Sequence, residues 1–138
     1  MLREIPSTVY KGISFKKGSR PNFGLLRSSF IQEGLFINNK GTVPIVKPVL
    51  DYIEMIDVNI EKGNILSIDE VELSNTVQAY GNVAQISSEY KLTFEGKSGF
   101  DVRYGINLFQ LVNINDQWFI SSMCWDDRTD KSLLSKSV

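Results

Sequence analysis

The spacing of apolar positions changes character near residue 64. Before it, apolar residues recur at helical steps. Val49, Ile53, Ile56 and Ile60 follow at intervals of four, three and four, which predicts an amphipathic helix over 48–61. Pro48 suits its first turn, Gly63 and Asn64 stop it, and Tyr52 and Met55 widen the stripe. Phe23, Leu26 and Phe30 stand at i, i+3 and i+7, predicting a second helix that Pro21 opens and Gly34 ends. Leu2 to Tyr10 reads as a short helix limited or started by Pro6. Leu35 to Ile37 reads as a short strand closed by the turn Asn38-Asn39-Lys40-Gly41.

After Asn64 the chain is rich in Val, Ile, Tyr, Phe and Thr. Four strands are predicted, at about 65–78, 80–95, 101–114 and 117–126. Links as short as Asn115-Asp116 imply antiparallel neighbours, and strands this long twist and curve. Helices followed by a run of strands give an α+β fold, with helices on one face of a strongly curved antiparallel sheet.

Alternation sorts the side chains within each strand. In the second strand Ala84, Ile86, Ser88, Tyr90 and Leu92 share the face expected to meet the helices, with Glu89 and Lys91 opposite. In the third, Asn107, Phe109 and Leu111 oppose Tyr104, Ile106 and Leu108. Both faces there are apolar, as expected if one lies in the core and the other in a dimer interface. In the fourth, Phe119, Ser121, Met123 and Trp125 oppose Trp118, Ile120, Ser122 and Cys124, and either set suits the interior.

Composition narrows the chemistry. The 138 residues suit one domain, read as residues 1–128 with a polar, loosely ordered tail at 129–138. The chain has no histidine, so Ser-His-Asp and Cys-His nucleophiles, His-based zinc sites and Asp-His dyads are excluded. Its formal net charge of −1 gives no basic excess for nucleic acid or an anionic membrane. The single cysteine, Cys124, reads as a buried, unreactive thiol. Met1 to Tyr10 lacks the apolar run of a signal peptide, and no apolar stretch is long enough to span a bilayer. The cytoplasm is the expected compartment.

One family resemblance emerges. Ile13-Ser14, Gly18, Arg20, Phe23, Arg27 and Phe30 resemble the first third of small bacterial proteins of the nuclear transport factor 2-like superfamily, in its SnoaL-like, ketosteroid-isomerase-like branch. The likeness continues through Tyr80 to Ala84, Ser88, Tyr90, Gly105-Ile106-Asn107 and Gln110 to Val112, and closes with Trp118, Ile120, Ser121 and Trp125-Asp126. It implies a cone-shaped α+β (cystatin-like) fold, a pocket between sheet and helices, and a homodimer packed through the outer sheet face. It does not select an activity, because the superfamily holds isomerases, cyclases, dehydratases and non-catalytic binders.

The resulting expectation is a cone pocket for a small apolar or amphipathic molecule, walled by Phe30, Tyr52, Ile56, Tyr90, Asn107 and Trp125, without cofactor or metal. Tyr90 is either a pocket hydroxyl or a core tyrosine reaching water or a backbone carbonyl. Asn107 is either a ligand contact or an internally bonded amide. The alternative is a histidine-free proton-transfer enzyme of isomerase, cyclase or dehydratase type. For it, Glu89 or Asp126 would be the base and Tyr90 the hydroxyl donor. A third reading is a non-catalytic dimeric interaction module.

Overall fold

A computed structural model describes residues 1–136. A 3-10 turn, Leu2–Glu4, leads into helix α1, Ile5–Ile13, with Pro6 in its first turn where no N–H is required. Helix α2 is short, Phe23–Ser28, and the Asn22 side chain caps it by accepting from the Leu25 N–H at 3.0 Å. Helix α3, Val49–Glu61, follows the strands β1, Phe30–Asn38, and β2, Ile45–Pro48. Then come the long strands β3, Ile65–Tyr80, β4, Val83–Gly96, β5, Gly99–Ile114, and β6, Gln117–Arg128.

All six strands join one curled sheet in the order β2-β1-β6-β5-β4-β3. Every pairing is antiparallel except β1 with β6. The β5–β6 turn places Asn115 and Asp116 at φ 51° and 65°, the left-handed pair of a tight two-residue hairpin. Helices cover the concave face. Val9, Tyr10 and Ile13 of α1, Leu26 of α2 and Ile56 of α3 are buried with Phe36, Ile86, Phe109 and Ile120 from the sheet. No helix of the described residues is long and apolar enough to cross a membrane.

The structure corrects several local expectations. The second helix stops at Ser28, not at Gly34, and Phe30 opens a strand that runs through Gly34. The register of β1 against β6 shifts between Phe30 and Leu35, and the strand bends there. Gly34 serves that bend: a Cβ on it would lie 2.8 Å from the Phe30 ring and 3.0 Å from the Ile31 carbonyl oxygen. Strand β2, a short edge, gave no alternation to find. Cys124 is only partly buried, on the convex face. In the tail, Lys131–Lys136 form a 3-10 helix, and residues 137–138 lie outside the described part.

The inner face of β4 carries Ile86, Ser88 and Tyr90, and that of β5 carries Gly105, Asn107, Phe109 and Leu111. On β6 neither alternating set is inward throughout. A bulge between the pairs Gln110–Ser122 and Leu111–Ile120 flips the strand. Ile120 before it and Met123 and Asp127 after it are all buried.

Candidate site at the concave face

The inner row of each long strand supplies one part of a polar cluster. Tyr90 on β4, Gly105 on β5 and Asp127 on β6 are cross-strand neighbours. Because Gly105 has no side chain, the Tyr90 hydroxyl passes over it and donates to Asp127 Oδ2 at 2.7 Å. Asp127 is 2% exposed, and its other oxygen accepts from Arg103 Nε at 2.5 Å, with Lys40 Nζ at 3.8 Å. A second Arg103 nitrogen donates to the Asp127 carbonyl at 3.2 Å. A buried carboxylate is tolerated only when paired and hydrogen-bonded, and both conditions hold here. The bond to Asp127 holds the Arg103 guanidinium above its usual range. Burial, then the Asp127 charge and hydrogen bond, push the Tyr90 hydroxyl far up, so it stays a neutral donor.

The next inner row holds Ser88 and Asn107, paired across β4 and β5, with Trp125 beyond on β6. The Tyr10 hydroxyl on α1 lies 2.7 Å from Ser88 Oγ and accepts from Asn107 Nδ2 at 3.0 Å. Ser88 donates onward to Glu72 Oε2 at 2.7 Å. Asn107 Nδ2 also lies 3.4 Å from Glu70 Oε2. These bonds pin the first helix to the sheet.

Glu70 is the chemically distinctive group. Burial pushes its carboxyl up to about 8, the Asn107 bond and the Lys40 charge pull it down, and the Asp127 charge pushes it up. At neutral pH it is mainly a neutral acid, able to donate. Its residue as a whole keeps some solvent exposure. Its charge also helps hold the Tyr52 hydroxyl up, after burial itself. Tyr52 in turn belongs to an aromatic wall. Phe36 stacks on Tyr52 with centroids 4.0 Å apart and on Phe30 at 4.6 Å. Trp125 stands edge-on to Phe36 and Tyr52, at 6.1 and 5.9 Å.

The six pocket residues expected from the sequence sit as follows. Phe30, Tyr52 and Trp125 come together through Phe36. Ile56 is buried one turn beyond Tyr52 on α3. Tyr90 and Asn107 are both on the inner face, and each is bonded to protein groups. The carboxylates singled out as bases do not join them. Glu89 follows the inner Ser88 and precedes the inner Tyr90, so it faces the convex side, beside Leu73 and Lys131. Asp126 lies opposite Asp127 in the alternation, and Arg128 pairs with it. Tyr90 therefore meets Asp127, not Asp126 or Glu89. Sequence reading also missed Glu70, Arg103, Tyr10 and Phe36. Counting two residues on from the apolar Ile68 would have placed Glu70 inward. Among the described residues, no group of three or more acidic or cysteine side chains is arranged to hold a metal ion.

The sequence matches no family model and no curated protein. Its structure does find likenesses. It aligns with a Kribbella flavida protein, Kfla4162, at TM-score 0.73 and 16% identity, over 97% of this chain and 93% of that one. It aligns with a nuclear transport factor 2-like superfamily protein from Salmonella enterica serovar Typhimurium at TM-score 0.73 and 14% identity, over 94% and 90%. The fold is the nuclear transport factor 2-like, or cystatin-like, fold. A function-unknown Mycobacterium tuberculosis protein aligns at TM-score 0.63 and 17% identity, over 85% of this chain and 66% of that one.

Proposed function

We propose that the chain binds a small, largely apolar molecule on the concave face, against Tyr52 and Trp125, which the buried Phe36 backs, oriented by a hydrogen bond from Glu70. The observation that carries this reading is Glu70 itself. A carboxyl raised to about 8 beside a wall of stacked rings is a neutral donor in an apolar setting. Such a pairing of apolar wall and few polar groups is what orients a ligand. A carbonyl oxygen is the matching acceptor. The test is titration with an uncharged naphthyl ketone, read by quenching of Trp125 in a Trp118→Phe background. Saturable quenching that weakens tenfold or more in Glu70→Leu supports the reading. Absence of saturable quenching overturns it.

A second reading has its own support. A carboxyl that titrates near neutrality can take and return a proton in one cycle. Tyr90, donating to Asp127, and the bonded Tyr10–Asn107 pair fix the polar surroundings of Glu70 on the same face. Proton transfer next to a carbonyl follows as the reaction class. Exchange of the ketone's α-hydrogens with deuterated water, followed by NMR, tests it. Acceleration lost in Glu70→Gln supports catalysis, and an unaccelerated rate leaves binding alone.

A further inference from the structure

A separate cavity lies on the other side of the sheet. On the convex face a space of about 530 Å³ lies between the sheet and the C-terminal 3-10 helix. Tyr104, Ile106 and Leu108 of β5 and Cys124 of β6 form its floor, and Leu133 and Leu134 of the tail form one wall. Leu108 is 54% exposed, a large apolar surface for a residue in the middle of a strand. The tail is held above this floor partly by Lys131, whose ammonium sits 5.8 Å from the centroid of the Tyr104 ring. The lining's charged residues are paired, Asp126 with Arg128 and Asp127 with Arg103, so the space presents no uncompensated charge.

We infer that this cavity is a second ligand site, taking a small uncharged apolar molecule between the sheet and the tail. Its volume falls within the several-hundred-Å³ range of small-molecule sites. Two elements line it with aliphatic and aromatic carbon, so transfer of apolar surface from water supplies the affinity. The paired rim charges disfavour an ionic ligand, which would have to break Asp126 from Arg128 or remain unpaired. The cavity also reaches Gly105, Trp125 and Asp127, which the concave site uses, so Cys124 and Leu133, which line this cavity alone, separate the two sites.

Cys124 makes the test direct, since it is the chain's single cysteine and lines the cavity. The full chain is titrated with N-phenyl-1-naphthylamine, a neutral fluorophore, while the rate of Cys124 modification by a maleimide is followed. Expected are one-to-one binding, at least fivefold slowing of modification at saturation, and at least tenfold weaker binding in Leu133→Asp. Leu133 is 41% exposed, so this variant keeps the fold. Fluorescence without protection of Cys124, and unchanged in Leu133→Asp, places the probe in the cone and overturns the inference. So does protection that grows with protein concentration in the absence of probe, because a second copy then occupies the face. No binding at all overturns it as well.

Discussion

The Tyr90 hydroxyl bonds to Asp127 across the missing side chain of Gly105. A Cβ on Gly105 would lie 2.5 Å from the Asp126 carbonyl oxygen, 2.5 Å from Asp127 Cβ and 2.7 Å from the Tyr90 hydroxyl. Two of those three atoms belong to backbone or to its first side-chain carbon, so neither moves cheaply. Gly105→Ala is expected to cost about 1–3 kcal/mol, as overpacking does. Urea midpoints of the two proteins check this. An unchanged midpoint would show that β5 and β6 separate freely there.

Arg103 carries most of the compensation for the buried Asp127 charge. Arg103→Met leaves that carboxylate with Tyr90 and the more distant Lys40. Breaking a buried pair by removing one partner costs about 3–5 kcal/mol, and the partial exposure of Arg103 places this pair at the lower end. The double variant Arg103→Met with Asp127→Asn is expected to recover part of the loss. Denaturation of all three at one ionic strength gives the comparison.

Tyr10 links α1 to the sheet through Ser88 and Asn107. Tyr10→Phe and Ser88→Ala each remove a hydroxyl from a buried chain and should each cost about 1–2 kcal/mol. The two sites share a bond, so their effects should fall short of additivity by at least about 0.5 kcal/mol. A double-mutant cycle measures that coupling, and strict additivity would show the bond contributes nothing.

Glu70 gives stability a pH dependence of definite sign. Its carboxyl titrates at about 8 when folded against an ordinary 4.5. Between those values the folded chain holds a proton that the unfolded chain has released. The contribution of this group is therefore full below about pH 4.5, falls as pH rises through the window, and is flat above about 8. Glu70→Gln is expected to remove that slope, matching the parent near pH 5 and exceeding it near pH 8.5. Thermal midpoints across that range would reveal it.

Much of the architecture was legible in the chain. The spacing over 48–61 placed α3, and the Val, Ile and aromatic runs placed the four long strands, because long periodic segments carry strong signals. Phe30 misled because i, i+3, i+7 spacing also arises by chance across a helix end and a bent strand. Faces on β6 were illegible because a bulge inverts them without any marker residue. The site was hidden by β3, which reads backwards. Its apolar Val71 and Leu73 are exposed on the convex face, while Glu70 and Glu72 turn inward. Alternation assigns carboxylates to water by default. The Asn107 amide and the Lys40 charge make the inward Glu70 tolerable, and Ser88 with Asn75 bond Glu72; of these, Asn75 alone is a near neighbour in sequence.

The most direct test of the concave site is the pH dependence of ketone binding at Trp125 between pH 6 and 9.5. If Glu70 donates the orienting hydrogen bond, the dissociation constant is flat below about pH 8 and rises about tenfold per unit above it, as the neutral acid is lost. Glu70→Gln, which keeps a donor but cannot ionise, should bind equally at both ends of the range. A dissociation constant in the parent that does not change with pH would contradict the account.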